Sequence, residues 1–162
     1  DKKFVFEKMG HNLEPSELGA AFGLVQLKKL DQNIRIREKN FNKIYNFLKK
    51  YEEIFILPQQ LKDTKTAWLA FPITLRSNAP FSRTEMQIFL EKNNIQTRVI
   101  FTGNILRQPG FKNIKFGGGR YFPEADKVMK YGILIGCHQG INNKKMNYML
   151  KKLETFIKSK IN

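Results

Sequence analysis

The hydrophobic period of this chain first changes near Glu53, and that change fixes most of what the chain can fold into. Upstream of it, apolar residues recur every three or four positions, the spacing of helices that bury one face. Pro15 and Ser16 open a helix in which Leu18, Ala21, Phe22 and Val25 form one stripe, widened by Leu24 and Leu27. Asp31 is a residue type that caps helix starts, and it precedes a second stripe of Ile34, Phe41, Ile44, Tyr45, Leu48 and Tyr51. The expectation is two helices in near succession, with an interface arm over residues 1–30 and a domain over residues 31–162.

Downstream of Glu53 the apolar runs shorten to strand length. Ile54 to Leu57 is one run, and from Ala67 to Leu75 the residues Ala67, Leu69, Phe71, Ile73 and Leu75 alternate as a half-buried strand would. Pro72 inside that run predicts an edge position or a bulge, because proline donates nothing to a sheet ladder. Ser82 followed three residues later by Glu85 is a capping-box spacing, opening a helix with Met86, Phe89 and Leu90 inward and Asn93-Asn94 at its end. Ile95 to Phe101 reads as a strand, Pro123 to about Tyr131 as a short helix, and Ile133 to Cys137 as a buried strand. Asn142 or Asn143 caps a final amphipathic helix with Met146, Met149, Leu150, Leu153, Phe156 and Ile157 inside. The pattern predicts an α+β fold, a long helical lead-in packed on a small mixed or antiparallel sheet of about three to five strands.

At 162 residues the chain is long enough for one sizeable core, and its net charge of +15 asks for an anionic partner. Lys144, Lys145, Lys151, Lys152 and Lys158 lie at helical spacing, where a solvated helix face accounts for them. One cysteine, Cys137, excludes an internal disulfide, fits a reducing cytoplasm, and sits in an apolar run that predicts burial. No apolar run approaches the roughly 20 residues that cross a bilayer, so no membrane role is expected. The opening residues DKKFVFEKMGHN show neither a starting Met nor a cleavage signal and read as an interior stretch of a longer protein. His11 and His138, the only histidines, have no metal-ligand spacing. Gly117-Gly118-Gly119 lacks the lysine of a phosphate loop, and no GxSxG is present. These residues hold no complete catalytic constellation.

The segment of greatest local specificity runs from Gly10-His11-Asn12 through Ala20-Ala21-Phe22-Gly23-Leu24-Val25-Gln26-Leu27-Lys28-Lys29-Leu30. It resembles the GxN…AA-G-QL-KL stretch of the DegT-type sugar aminotransferase and dehydratase superfamily, whose members are fold-type I pyridoxal-phosphate enzymes. Ala79-Pro80-Phe81-Ser82-Arg83 and the run Thr97-Arg98-Val99-Ile100-Phe101-Thr102-Gly103-Asn104-Ile105-Leu106-Arg107-Gln108-Pro109 narrow the likeness. They are similar to the APFSR and TR…F-GN-RQP runs of CDP-4-keto-6-deoxyglucose 3-dehydratases, enzymes of lipopolysaccharide dideoxysugar synthesis. The resemblance is colinear from Phe4 to about Ile157, and it makes this chain the C-terminal small domain of such an enzyme.

The resemblance also implies roles. Asn12 matches a loop asparagine that reaches the cofactor phosphate of the neighbouring subunit, so a homodimer through the arm and first helix is implied. Arg98, Phe101, Gly103, Asn104 and Arg107 fall on the substrate loop. Guanidinium groups there suit the diphosphate of a nucleotide-sugar, Gly103 and Asn104 suit its hydroxyls, and Phe101 suits stacking on base or sugar. Pyridoxal or pyridoxamine phosphate, a [2Fe–2S] cluster on upstream cysteines, and a partner reductase are implied for the parent enzyme, with no catalytic residue in this stretch. Glu14 stands where relatives often carry a basic residue, and Gln139 lies near a proline position of the family, which leaves His138 a weak candidate. Three other readings stay open: a sugar 4-aminotransferase, a basic nucleic-acid-binding module, and a purely structural dimerisation domain.

Overall fold

A computed structural model describes residues 8, 10–11, 13–114, 117, 119 and 121–161. The chain divides into two compact units, Asp1–Gln32 and Asn33–Asn162. A single helix, α1 (Glu17–Leu48), contributes its first half to the former and its second half to the latter.

The expected break at Asp31 is absent, and Asp31 lies within α1. A capping side chain contributes about 1 kcal/mol, and only where the backbone before it leaves the helix. No proline interrupts Glu17–Leu48, and its only glycines, Gly19 and Gly23, lie in its first two turns. The helix therefore continues at the ordinary cost of one aspartate.

In the first unit Leu18, Phe22, Leu24 and Leu27 are exposed, and Ala20, Gly23, Leu24, Leu27 and Leu30 line a shallow apolar depression along the helix. The second unit is built on one antiparallel sheet. Its strands are β1 (Phe55–Ile56), β2 (Ala70–Leu75), β3 (Thr97–Val99) and β4 (Gly132–Gly136), in the order β1-β2-β4-β3. Helix α2 (Arg83–Lys92) joins β2 to β3, α3 (Pro123–Tyr131) leads into β4, and α4 (Asn143–Ile161) ends the domain.

Alternation on β2 buries Phe71, Ile73 and Leu75 against Ile44 and Leu48 of α1, Met86 and Leu90 of α2, and Met146, Leu153 and Ile157 of α4, within one apolar cluster. Phe41 stacks on Trp68 at a centroid distance of 4.2 Å and leans on Phe71 at 4.7 Å. Phe81 meets Phe156 edge-on at 4.8 Å. Phe41, Phe71 and Phe156 are thus spent on the core and not offered to nucleic-acid bases.

Pro72 does not lie on an edge strand, since β2 has β1 on one side and β4 on the other. The proline is tolerated because β1 is only two residues long and its register with β2 stops at Ile56↔Thr74. Next to Pro72 the sheet is paired on the β4 side only, through Pro72↔Leu134. Leu69 O accepts from Cys137 N–H, so by alternation residues 69, 71 and 73 bond toward β4. The Pro72 nitrogen faces the β1 side, beyond the end of β1, and the missing N–H breaks no ladder bond. The capping box forms as its spacing predicts: Ser82 Oγ accepts from Glu85 N–H, and the Glu85 carboxylate accepts from Ser82 N–H at 2.8 Å. Asn142 Oδ1 caps α4 by accepting from Lys145 N–H at 3.0 Å.

Candidate functional site

The loop after β3 is where the structure concentrates its unusual backbone. The strand expected to reach Phe101 ends at Val99 because Phe101 turns the chain with φ of 45°. Gly103 follows at φ of 62° and donates its N–H to Ile100 O at 3.0 Å. A Cβ on Gly103 would stand 2.3 Å from Met129 Cβ, so the loop rests directly on α3 with room for glycine only. A phenylalanine at positive φ is uncommon and persists only where surrounding contacts hold it. Here Phe101 is 88 % exposed, an aromatic ring held out into solvent by a loop seated beneath it.

The other polar residues of the loop are turned inward. Asn104, 3 % exposed, donates to Asp126 Oδ1 at 2.8 Å and accepts from Leu106 N–H at 3.1 Å, capping the short 3₁₀ turn Ile105–Arg107. Arg107 forks onto the same carboxylate, Nε to Oδ1 at 2.9 Å and Nη2 to Oδ2 at 2.7 Å. These bonds from Arg107 and Asn104 hold the Asp126 carboxyl down at about 2, well below the usual carboxylate range. Gln108 Nε2 donates to Thr102 O at 3.3 Å and closes the loop on itself.

The five expected substrate residues in this loop therefore have different surroundings. Arg107 and Asn104 are engaged with Asp126, and Gly103 is packed on α3. Arg98, on edge strand β3, and Phe101 are exposed, and the Arg98 side chain has no hydrogen bond or ion pair among the described residues. Asn12 lies outside the described residues. His138 accepts from Gly140 N–H at Nδ1, 3.1 Å, and its carbonyl accepts from the buried Asn40 of α1 at 3.1 Å, which fixes the turn between β4 and α4. Burial pushes the Cys137 thiol up to about 12, which keeps it protonated and unreactive.

Three residues to which sequence reasoning assigned no role at the site shape this region. Asp126 has the appearance of an ordinary first-turn acidic residue on α3, and Asn40 that of a polar position on a long helix. Arg83 is the first residue of α2 and spans to the far end of α3, where Nη1 donates to Met129 O at 2.6 Å and to Gly132 O at 3.4 Å. Arg83, Phe101, Thr102, Gly103, Gln108 and Met129 are among the residues around a cavity of about 130 Å³. Among the described residues no helix is long and apolar enough to cross a membrane, and no cluster of acidic, histidine or cysteine side chains is placed to hold a metal.

A model of the DegT/DnrJ/EryC1/StrS aminotransferase family matches residues 1–154. The lipopolysaccharide biosynthesis protein RfbH of Salmonella typhimurium is 31 % identical over 156 residues, 96 % of this chain and 36 % of its own length. The dTDP-4-dehydro-2,6-dideoxy-D-glucose 3-dehydratase of Saccharopolyspora spinosa is 29 % identical over 157 residues, 97 % of this chain and 34 % of its own. A solved structure of the Escherichia coli GDP-4-keto-6-deoxy-D-mannose-3-dehydratase with bound hydrated PLP superposes with a TM-score of 0.77 at 27 % identity, covering 93 % of this chain and 38 % of that one. Relatives named as transaminases also occur among the matches. The chain spans little more than a third of the length of these relatives.

Proposed function

The chain belongs to the DegT/DnrJ/EryC1/StrS aminotransferase family, and from that premise we propose that it is the C-terminal substrate-loop part of a nucleotide-sugar 3-dehydratase, inactive alone. Phe101 carries this reading: a solvent-exposed ring at positive φ, on a loop fixed from below, is a surface prepared for stacking. On the strand that leads into the loop, Arg98 offers an exposed guanidinium for a diphosphate, its side chain without a hydrogen bond or ion pair among the described residues. Asn104 and Arg107 serve the same loop from within, through Asp126. The nucleotide is cytidine-based, following the APFSR and GN-RQP runs, and the product enters lipopolysaccharide dideoxysugar synthesis in the cytoplasm. The exposed leucines of the first half of α1 form the homodimer contact, together with Asn12.

Family enzymes use pyridoxal or pyridoxamine phosphate, which supplies an electron sink when bound. The described residues do not by themselves make a pocket for it. A cavity of about 130 Å³ is small beside the roughly 300–1,000 Å³ of cofactor sites, and no lysine or histidine lines it. No chemical step is assigned to this chain through the cofactor, and the iron–sulfur cluster and reductase belong to the same proposal about the longer enzyme. What these residues do is bind and orient the substrate. The aminotransferase reading has the same loop and differs in the residue at the cofactor, which lies outside this chain.

Titration of the protein with CDP, GDP and dTDP by calorimetry tests the proposal, with turnover assayed in the same samples. CDP binds most tightly, no turnover is seen, and Arg98→Ala and Phe101→Ala each weaken binding by roughly tenfold, the loss of one charge-assisted bond or stacked ring. Unchanged affinity in both variants, or measurable dehydration by the chain alone, overturns it.

A further inference from the structure

Arg83 is anchored at one corner and unpaired at another. Nη1 holds the carbonyls of Met129 and Gly132 at the end of α3, where backbone acceptors are left over. Its Nε is buried and has no hydrogen-bond partner among the described residues. Buried donors without a partner are rare in folded proteins, and one that persists asks for an acceptor from outside. Among the described residues no carboxylate answers this guanidinium either, whereas Arg107, twenty-four residues on, is engaged by Asp126.

The guanidinium edge carrying Nε is the one that presents two parallel N–H groups and matches a pair of oxygens on one phosphorus or carbon. Arg107 uses this edge on Asp126. On Arg83 the edge is unspent, and Arg83 lines the cavity of about 130 Å³ under the Phe101 loop. The remaining wall is apolar or neutral, with Val99, Gly103, Gln108 and Met129 and no acidic side chain. The loop wall is rigid, because Gly103 is seated on Met129 and Gln108 is tied to Thr102 O. The space suits a single phosphoryl group and not a nucleoside.

We propose that this cavity is an oxyanion site for a phosphoryl group, with Arg83 as its anchor. The site deepens the nucleotide-sugar reading by placing phosphate beneath the ring of Phe101, and it rests on that reading only for the identity of the natural ligand.

The test uses the whole chain at physiological ionic strength, with inorganic pyrophosphate and CDP as probes. Arg83→Lys keeps the net charge of +15 and a donor for Met129 O while removing the two-pronged edge. Pyrophosphate binds the parent protein and moves the Arg83 Nε–H resonance in ¹⁵N spectra. Arg83→Lys binds roughly tenfold more weakly, the loss of one charge-assisted bond. The spectral readout needs no variant, so a poorly folding Arg83→Lys does not blunt it. Equal pyrophosphate affinity in both proteins, or an unmoved Nε–H signal at saturation, overturns the proposal as diffuse attraction to a basic surface. CDP binding that depends on Arg98 but not on Arg83 also overturns it and leaves the nucleotide reading intact. Pyrophosphate captured at Arg83 with CDP bound no better upholds the site and removes the nucleotide.

Discussion

The first half of α1 and the whole of α4 carry apolar stripes of similar spacing and meet opposite fates. Leu153 of α4 is 0 % exposed, packed in one cluster with strands β2 and β4 and helix α2. On α1, Leu27 is 64 % exposed and Phe22 69 %, and the residues that line the depression beside them all come from the same helix. A period of 3.6 residues reports that a helix has an apolar face; it does not report what covers that face. In the domain of residues 33–162 the cover is encoded in the same chain, and in residues 13–32 the described structure supplies none.

Truncating one leucine from each stripe gives the largest contrast. Leu153→Ala removes a buried side chain from a closed core and costs about 2–5 kcal/mol in urea unfolding followed by circular dichroism. Leu27→Ala removes the same atoms from solvent and changes stability by less than about 0.5 kcal/mol. Equal losses would mean that the first half of α1 is covered in the free protein, and the contrast between the stripes would dissolve.

Two glycines sharpen the same contrast at smaller scale. Gly103→Ala places a methyl group on Met129 at a backbone φ of 62°, so strain and overpacking together cost about 1–3 kcal/mol. Gly23 has nothing within 4 Å of a Cβ and lies inside α1, so Gly23→Ala stabilises by about 0.5–1 kcal/mol through helix propensity. Opposite signs in thermal melts are the expected outcome. A destabilising Gly23→Ala would show that another surface already approaches α1 closely.

Local chemistry was legible in the sequence where the partners are neighbours in the chain. Ser82 and Glu85 are three residues apart, and their reciprocal bonds formed as spaced. A small sheet, expected as mixed or antiparallel, and the inward face of α4 were equally visible, because alternation and helical period are local properties, whereas the all-antiparallel pairing is not. Asp31 misled because a capping residue type signals a helix start only if the preceding turn ends, and propensity upstream of it favours continuation. Pro72 misled because its tolerance depends on how far the neighbouring strand extends, which the proline itself does not record. At the candidate site, Asn104 and Arg107 stood out, but the residue that engages both, Asp126, lies 22 and 19 residues away. Arg83 stood out only as the end of the APFSR run, and its role was hidden for the same reason, since its partners at Met129 and Gly132 are 46 and 49 residues on.

Acid titration sharpens the comparison between the units in the smallest increment. In the domain two carboxyls are held down at about 2: Glu85 by Lys160 and the backbone and hydroxyl of Ser82, and Asp126 by Arg107 and Asn104. A depressed folded-state value means that the unfolded chain takes up protons first as pH falls. The stability these groups supply is therefore full above the ordinary carboxylate range of about 4 and is lost progressively toward pH 2. Both groups are solvent-exposed, so the effect is modest and shrinks with added salt. Urea unfolding midpoints measured between pH 6 and pH 2 fall in the parent protein. They fall less in the Glu85→Gln, Asp126→Asn double variant, which has already lost both interactions at neutral pH. Amide exchange places the acid-sensitive protection in the 83–92 and 100–108 segments, where the two carboxyls make their bonds. Protection lost instead along residues 17–30, with the Asp126 loop unmoved, would mean that the acid-labile structure lies in the first half of α1 and not in the loop that Asp126 holds.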